Sequence, residues 1–298
     1  MDYKKIIRSQ QLRFRVLGML NWVPDSVMLR IQYRIKFGFW PNFKHPKRYT
    51  EKLQLYKMKY RNPVMPQCVD KYEVRKYVEA KGLGHILNEL YGVYDSFDDI
   101  DFNNLPSKFV VKSTTGGGGF NVIVVQDKNS CDWKEIGKKV KAWSQHKIGA
   151  VDPGREWAYS GMGKSRIIIE KFLENSRGDS LNDYKFLCFD GKVKCLWVDT
   201  GRYLDHKRGF FNETFQPIVV SYGYPSLDKN YKLPINIDEM AKVAEILSAE
   251  FPHARIDLYN TDGKILFGEI TFYCSSGYRK FEPDSFDFDL GSYFTEYT

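Results

Sequence analysis

Cysteine is scarce in this chain of 298 residues. Cys68, Cys131, Cys188, Cys195 and Cys274 are odd in number and scattered, so neither a disulfide framework nor a zinc centre is expected. No apolar run approaches the roughly 18 residues that span a bilayer, and no cleavable leader is expected. A reducing, cytoplasmic compartment is the expectation. Two glycine motifs are missing as well: no Gly-Lys-Ser/Thr ending closes a phosphate loop, and no dinucleotide fingerprint joins a strand to a helix. Charge, by contrast, is plentiful and unevenly placed. Up to Trp40, Lys4, Lys5, Arg8, Arg13, Arg15, Arg30, Arg34 and Lys36 face only Asp2 and Asp25, so six of the eight net positive charges sit there. The remainder is nearly balanced, which argues against a nucleic-acid binder. The length allows one large composite domain or two smaller ones.

The basic segment has helical periodicity. Leu12, Val16, Met19, Leu20 and Val23 recur at three- and four-residue steps, and after Pro24 the residues Met28, Ile31 and Ile35 repeat the pattern. Two short amphipathic helices are expected, interleaved with Phe14, Trp22, Tyr33, Phe37, Phe39 and Trp40. Such helices either lie in an anionic membrane interface or pack on the body of the protein. Further on, Asp70-Lys71-Tyr72-Glu73 reads as a capping box opening a helix to about Lys81, with Val74, Tyr77 and Val78 buried. Lys71 then falls in the first turn, where a cation opposes the helix dipole unless it meets an anion. A short strand is expected over 90–94, a loop over 97–106, and a second capped helix from Asp132 to about His146.

Residues 108–125 form the central motif: a β-branched run ending at Lys112, a turn with Gly116, Gly117, Gly118 and Gly119, and a returning β-branched run. This reads as a hairpin with a mobile tip, either a flap whose bare N–H groups approach a phosphate chain or a solvated turn. Ile167 to Ile169 then give a buried strand that runs into Glu170-Lys171-Phe172-Leu173, a hinge for an adenine edge or an ordinary strand end. A hairpin turning at Asp190-Gly191 presents Asp183 and Lys185 on one face. Arg202, His206, Lys207 and Arg208 follow as a basic loop suited to a carboxylate or a transferring phosphoryl group. The last hairpin turns at Asp262-Gly263. A two-residue turn alone would pair Asp257 with Gly268; an odd loop or a single bulge would put Asp257 opposite Glu269, β-carbons about 5 Å apart. Two such carboxylates repel unless a cation separates them, and hard oxygen ligands near phosphates imply Mg²⁺. Arg255 would share their face and hold an anionic intermediate.

Together these residues resemble the ATP-grasp superfamily, and more closely its TupA-like branch of surface-polysaccharide loci. The resemblance runs through Tyr49-Thr-Glu-Lys52, Asp70-Lys71, Lys112 with the glycine run, Ile168-Ile-Glu-Lys-Phe172, the segment 202–211, and Phe267-Gly-Glu-Ile-Thr-Phe272. It covers about residue 41 onward. It implies an α+β ATP-grasp fold in which two antiparallel-sheet subdomains clasp ATP. The expected organisation is a helical extension over 1–40, a pre-grasp region over 41–106, a small subdomain with the flap over 107–169, and a large subdomain over 170–298. It also implies that Lys71, Lys112 and Lys185 meet phosphates, with Ser113 and Asp183 beside them. Residues 170–173 would hold the adenine, and Asp257, Glu269 and Thr271 the Mg²⁺. Thr271 is a departure, because most ATP-grasp ligases carry Asn there. The implied chemistry is amide ligation through an acylphosphate, held by Arg255 with Arg202 or Arg208. The implied substrates are a uronic acid of a surface polysaccharide or its precursor and a small amine, an amino acid or amino sugar. The protein would be cytoplasmic, with a peripheral place at the inner membrane face through residues 1–40. A glycosyltransferase of polysaccharide assembly is the alternative, although the alternating βαβ pattern of a nucleotide-sugar site is missing. A non-catalytic polyanion binder is a third.

Overall fold

The computed structural model describes residues 17–116, 121–145, 154–174, 181–201 and 205–295. Gly117, Gly118, Gly119 and Arg202 therefore lie outside the described residues, as do Leu12, Phe14 and Val16 of the first expected helix. The chain divides into two compact units, one of residues 63–150 and 158–174, the other of residues 1–62, 151–157 and 175–298.

The first of these units is built on a four-stranded antiparallel sheet, β1 (Leu90–Tyr94), β2 (Phe109–Ser113), β3 (Val122–Val125) and β4 (Ile167–Lys171), in the order β1-β4-β2-β3. The β-branched runs on either side of the glycine motif pair as a hairpin, Lys112 opposite Val122. Phe109, Val111 and Ile169 form the core with Val140 of the helix Trp133–Gln145. Ile136 and Trp143 of that helix pack against the same core, as the periodicity predicts. Glu135 N donates to Asp132 Oδ1 at 3.0 Å, the forward half of the expected capping box. Asp70 likewise accepts from Tyr72 N and Glu73 N. Its helix, however, starts only at Val74, so Lys71 sits in the turn before the helix rather than in its first turn.

The larger unit carries a six-stranded antiparallel sheet: β5 (Asp183–Phe189), β6 (Lys192–Thr200), β7 (Lys207–Phe211), β8 (Pro217–Ile218), β9 (His253–Thr261) and β10 (Lys264–Thr271), ordered β10-β9-β5-β6-β7-β8. Both expected hairpin turns form on left-handed residue pairs, Asp190 with Gly191 and Asp262 with Gly263. Lys207 and Arg208 lie on β7, not in a loop: β7 pairs antiparallel with the end of β6, which draws this basic run into the sheet. The helix Ile237–Ser248 covers one sheet face, packing on β9, β5 and β6. The helix Tyr49–Lys59 is tied to the C-terminal helix Ser285–Tyr293 by Thr50 Oγ1 donating to Asp287 Oδ2 at 2.7 Å and by Arg48 on Asp284 at 2.6 Å. Before them, the helix Asp25–Phe37 buries Met28, Leu29, Tyr33 and Phe37, and Tyr33 Oη meets Thr50 Oγ1 at 2.9 Å. Body packing is thus realised for one face of that helix. Ile31 and Ile35, expected on the same face as Met28, point outward instead, 40 % and 44 % exposed.

Candidate active site

The sheet face turned away from the helix Ile237–Ser248 collects charge, and Asp183, Lys185, Asp199, Arg208, Arg255 and Asp257 are buried on it. Each of the two hairpins that turn at Asp-Gly contains, beyond the tight turn, a one-residue bulge. In β9–β10 the register shifts between Phe267 and Glu269, so that Asp257 pairs with Glu269 and Arg255 with Thr271. Gly268 makes the bulge possible, because an added Cβ would lie 2.8 Å from the Asp257 carbonyl oxygen. In β5–β6 the shift after Leu187–Cys195 brings Asp183 opposite Asp199 and Lys185 opposite Trp197. Further cross-strand pairs, Lys185 with Asp257 and Asp199 with Arg208, complete one continuous row of ionisable groups.

Three cations, Arg255, Lys185 and Arg208, pair with four carboxylates, Asp257, Glu269, Asp183 and Asp199, on this face. Arg255 Nη2 donates to Asp257 Oδ2 and to Glu269 Oε1, both at 2.8 Å, so its guanidinium bridges the two carboxylates. The cation expected between the acids is, in this structure, a side chain. Arg255 Nε adds a 2.6 Å bond to Asp257 Oδ1, and Lys185 Nζ bonds Asp257 Oδ2 at 2.7 Å and lies 3.3 Å from Asp183. Burial pushes the Asp257 carboxyl up, but Arg255 and Lys185 outweigh it and hold the group below its ordinary range. Burial likewise pulls Lys185 down, and Asp257 and Asp183 more than reverse this, so the ammonium is retained. Thr271 Oγ1 accepts from Arg255 at 3.0 Å and donates to Glu269 at 3.2 Å.

Asp257, Glu269 and the Thr271 hydroxyl are hard oxygen donors of the kind Mg²⁺ takes. Asp257 is already bonded at both oxygens, whereas Glu269, with its side chain 44 % exposed, uses only Oε1. Among the described residues no group of three or more His, Cys, Asp or Glu stands ready to hold a metal. The donor set therefore fits a cation that takes its other ligands from a phosphate, not a cage made by protein alone.

At the other end of the row, Arg208 donates through Nε and Nη2 to both oxygens of Asp199, at 2.5 and 2.7 Å, and through Nη1 to the Tyr222 carbonyl at 3.1 Å. Burial would raise the Asp199 carboxyl, and the Arg208 contacts bring it below its usual range instead. His206 Nε2 lies 3.2 Å from Asp199 Oδ1. Asp199 and Trp197 are participants that the sequence reading missed. Alternation along β6 is the signal that carries them, but only once the bulge is known.

In the smaller unit, Lys112 Nζ bonds Glu170 Oε2 at 2.6 Å, and Arg75 stands 3.7 Å from the same carboxylate. Lys71 reaches the base of the glycine turn: its backbone N–H donates to Thr114 O at 2.8 Å and its ammonium to Gly116 O. Gly116 is left-handed, φ +100°. Ser113 Oγ meets Ser165 Oγ at 2.8 Å. Of the expected hinge, Glu170 is buried, and Lys171 has both backbone groups engaged, its N–H on Glu89 O and its carbonyl on Asn88 Nδ2. Phe172 lies under the Lys108 ammonium, 6.0 Å from the ring centre. Leu173 follows in irregular chain.

Among solved structures, a D-alanine–D-alanine ligase from Bacillus anthracis is 19 % identical over 69 % of this chain and 57 % of its own, with a TM-score of 0.44. An L-amino acid ligase from Bacillus licheniformis is 18 % identical over 87 % of this chain and 57 % of its own, TM-score 0.45. The chain spans 53 % to 61 % of the first solved structures it matches. No curated relative matches it. The model of the TupA-like ATP-grasp proteins matches residues 51–295, which takes in both sheets. On that match, the chain has the α+β ATP-grasp fold and belongs to the TupA-like ATP-grasp family.

Proposed function

We propose that this protein is an ATP-dependent carboxylate–amine ligase. The observation that carries the reading is Arg255 shared between Asp257 and Glu269 on one sheet face, with Lys185 alongside, in a chain of the ATP-grasp family. In this reading a carboxylate oxygen attacks the γ-phosphorus of ATP and ADP departs. The amine nitrogen then attacks the acyl carbon, its C–O bond breaks, phosphate leaves, and the nitrogen gives up a proton. Lys71, Lys112 and Lys185 offset the charge of the phosphates, and Arg255 holds the acyl oxyanion. Ser113 and the glycines 116–119 cover the phosphates, residues 170–173 take the adenine, and Asp183 orients Lys185. Asp257 and Glu269 would hold Mg²⁺, which supplies positive charge at the transferring phosphoryl group.

We assign the acid to a uronic acid of a surface polysaccharide or its precursor, and the amine to an amino acid or amino sugar. The support is the resemblance of the chain to a family of surface-polysaccharide loci. Location is assigned to the cytoplasmic face of the membrane: the described cysteines are all free, and the helix Asp25–Phe37 keeps a second apolar stripe. Val27, Ile31 and Ile35 are 40 % to 45 % exposed, Trp22 and Trp40 80 % and 62 %, and Arg30 and Arg34 are exposed beside them. That combination suits an anionic interface. No helix among the described residues is long and apolar enough to cross a membrane.

The test is a screen of uronates and amines for ATP-dependent phosphate release. The expected result is release that requires both partners and falls by at least ~100-fold in Glu269→Gln. Equal turnover by that variant, or UDP release from a nucleotide sugar in place of phosphate, would overturn the reading.

A further inference from the structure

We propose that Arg279 is the binding residue for a spectator anion of the substrate, a carboxylate or phosphate set apart from the reacting carboxylate; this rests on the ligase reading above. The other described arginines along the charged row are largely engaged, Arg255 keeping only Nη1, 3.9 Å from the Cys274 sulfur, clear of a carboxylate. Arg255 spends its fork on Asp257, Glu269 and Thr271, and Arg208 spends Nε, Nη1 and Nη2 on Asp199 and the Tyr222 carbonyl. Arg279 has no acidic partner and no hydrogen-bond partner among the described residues; its side chain lies beside two aromatic rings. Its guanidinium carbon lies 5.4 Å from the Tyr222 ring centre and 5.6 Å from that of Tyr224, within cation–π reach of both rings and with its N–H donors unspent among the described residues.

The backbone is shaped around this arginine. Gly223, between the two tyrosines, is left-handed at φ +83°, and a Cβ there would overlap Nη1 of Arg279. Arg208 lies over the same two rings, at 5.5 and 4.8 Å, and is neutralised by Asp199, so the uncompensated charge of the pair is that of Arg279. These rings are continuous with the acid pair. Tyr222 packs on Trp197 at 5.5 Å, and Trp197 lies 5.3 Å from the Arg255 guanidinium. A half-buried fork beside two rings, without a counter-ion among the described residues and next to the row that carries the reaction, is built to receive an anion. Arginine's fork matches carboxylate and phosphate oxygens in pairs, whereas the reacting carboxylate must stay free to attack phosphorus. The anion therefore sits elsewhere on one of the two substrates.

The experiment measures equilibrium binding to the full chain by calorimetry, with two matched pairs of probes: glucuronate 1-phosphate against glucuronate, and L-alanine against ethylamine. The wild type is expected to bind the anion-bearing member of at least one pair about 10- to 100-fold more tightly, as a charged hydrogen bond implies. Arg279→Gln abolishes that preference while leaving the partner without the extra anion unchanged. Arg279→Lys restores part of it, and Gly223→Ala, which displaces the fork, weakens it with the arginine intact. The first pair locates the anion on the acid substrate and the second on the amine. Equal binding within both pairs, or a preference that survives Arg279→Gln, overturns the proposal. Because binding is read without turnover, failure of the ligase reading shows separately, as absence of ATP-dependent phosphate release.

Discussion

Asp257 is 2 % exposed and remains ionised, because three charge-assisted hydrogen bonds from Arg255 and Lys185 replace the water it has lost. His253, on the same strand, meets the opposite fate. Its Nδ1–H donates to the Cys188 carbonyl at 2.9 Å, and Nε2 accepts from Tyr49 Oη at 2.9 Å, so the buried ring is neutral. Burial pulls its pKa from 6.5 down to about 3. Between those values the unfolded chain binds a proton that the folded chain refuses. The stability due to this group is thus whole above pH 6.5 and is lost progressively as the pH falls toward 3. Urea unfolding at pH 7 and pH 5 is expected to show a larger loss for the wild type than for His253→Gln. Parallel losses would mean that the ring is not held neutral.

The two bulged hairpins decide which residues meet at the scale of the strand. Their turns were legible, since Asp190-Gly191 and Asp262-Gly263 are strong local signals. Counting from those turns alone puts Asp257 opposite Gly268, and each bulge moves the register by one residue and transfers a whole set of side chains to the other face. For β10 the shift could be named in advance as one of several options; for β6 nothing in the sequence marked it, so Asp199 and Trp197 went unnoticed. Lys207 and Arg208 were misplaced for a related reason: a strand that gains its pairing from a distant partner carries no local pattern of its own. The β-branched runs around the glycine motif and the Val74, Tyr77 and Val78 face were readable because periodicity and burial agree there. Gly268→Ala tests the bulge. The clash with the Asp257 carbonyl is expected to cost ~1–3 kcal/mol in stability and to suppress phosphate release further than stability alone explains. Full activity in that variant would show that the register does not depend on this glycine.

Over the whole molecule, charge is segregated: six of the eight net positive charges precede Pro41, while on the six-stranded sheet four carboxylates are paired with three cations. In the proposed function, attachment falls to the helix Asp25–Phe37 and chemistry to the sheet. Replacing Trp22, Ile31 and Ile35 by serine is expected to release the protein from anionic liposomes in a flotation assay and to leave phosphate release from soluble substrates unchanged. Retention of the triple variant on the liposomes would refute the attachment. The central claim, ligation through an acylphosphate, is tested most directly by following oxygen. With a uronate whose carboxylate carries oxygen-18, ATP and an amine, the account predicts one labelled oxygen in each phosphate released, delivered when the C–O bond of the acylphosphate breaks. Unlabelled phosphate accompanying amide formation would contradict it.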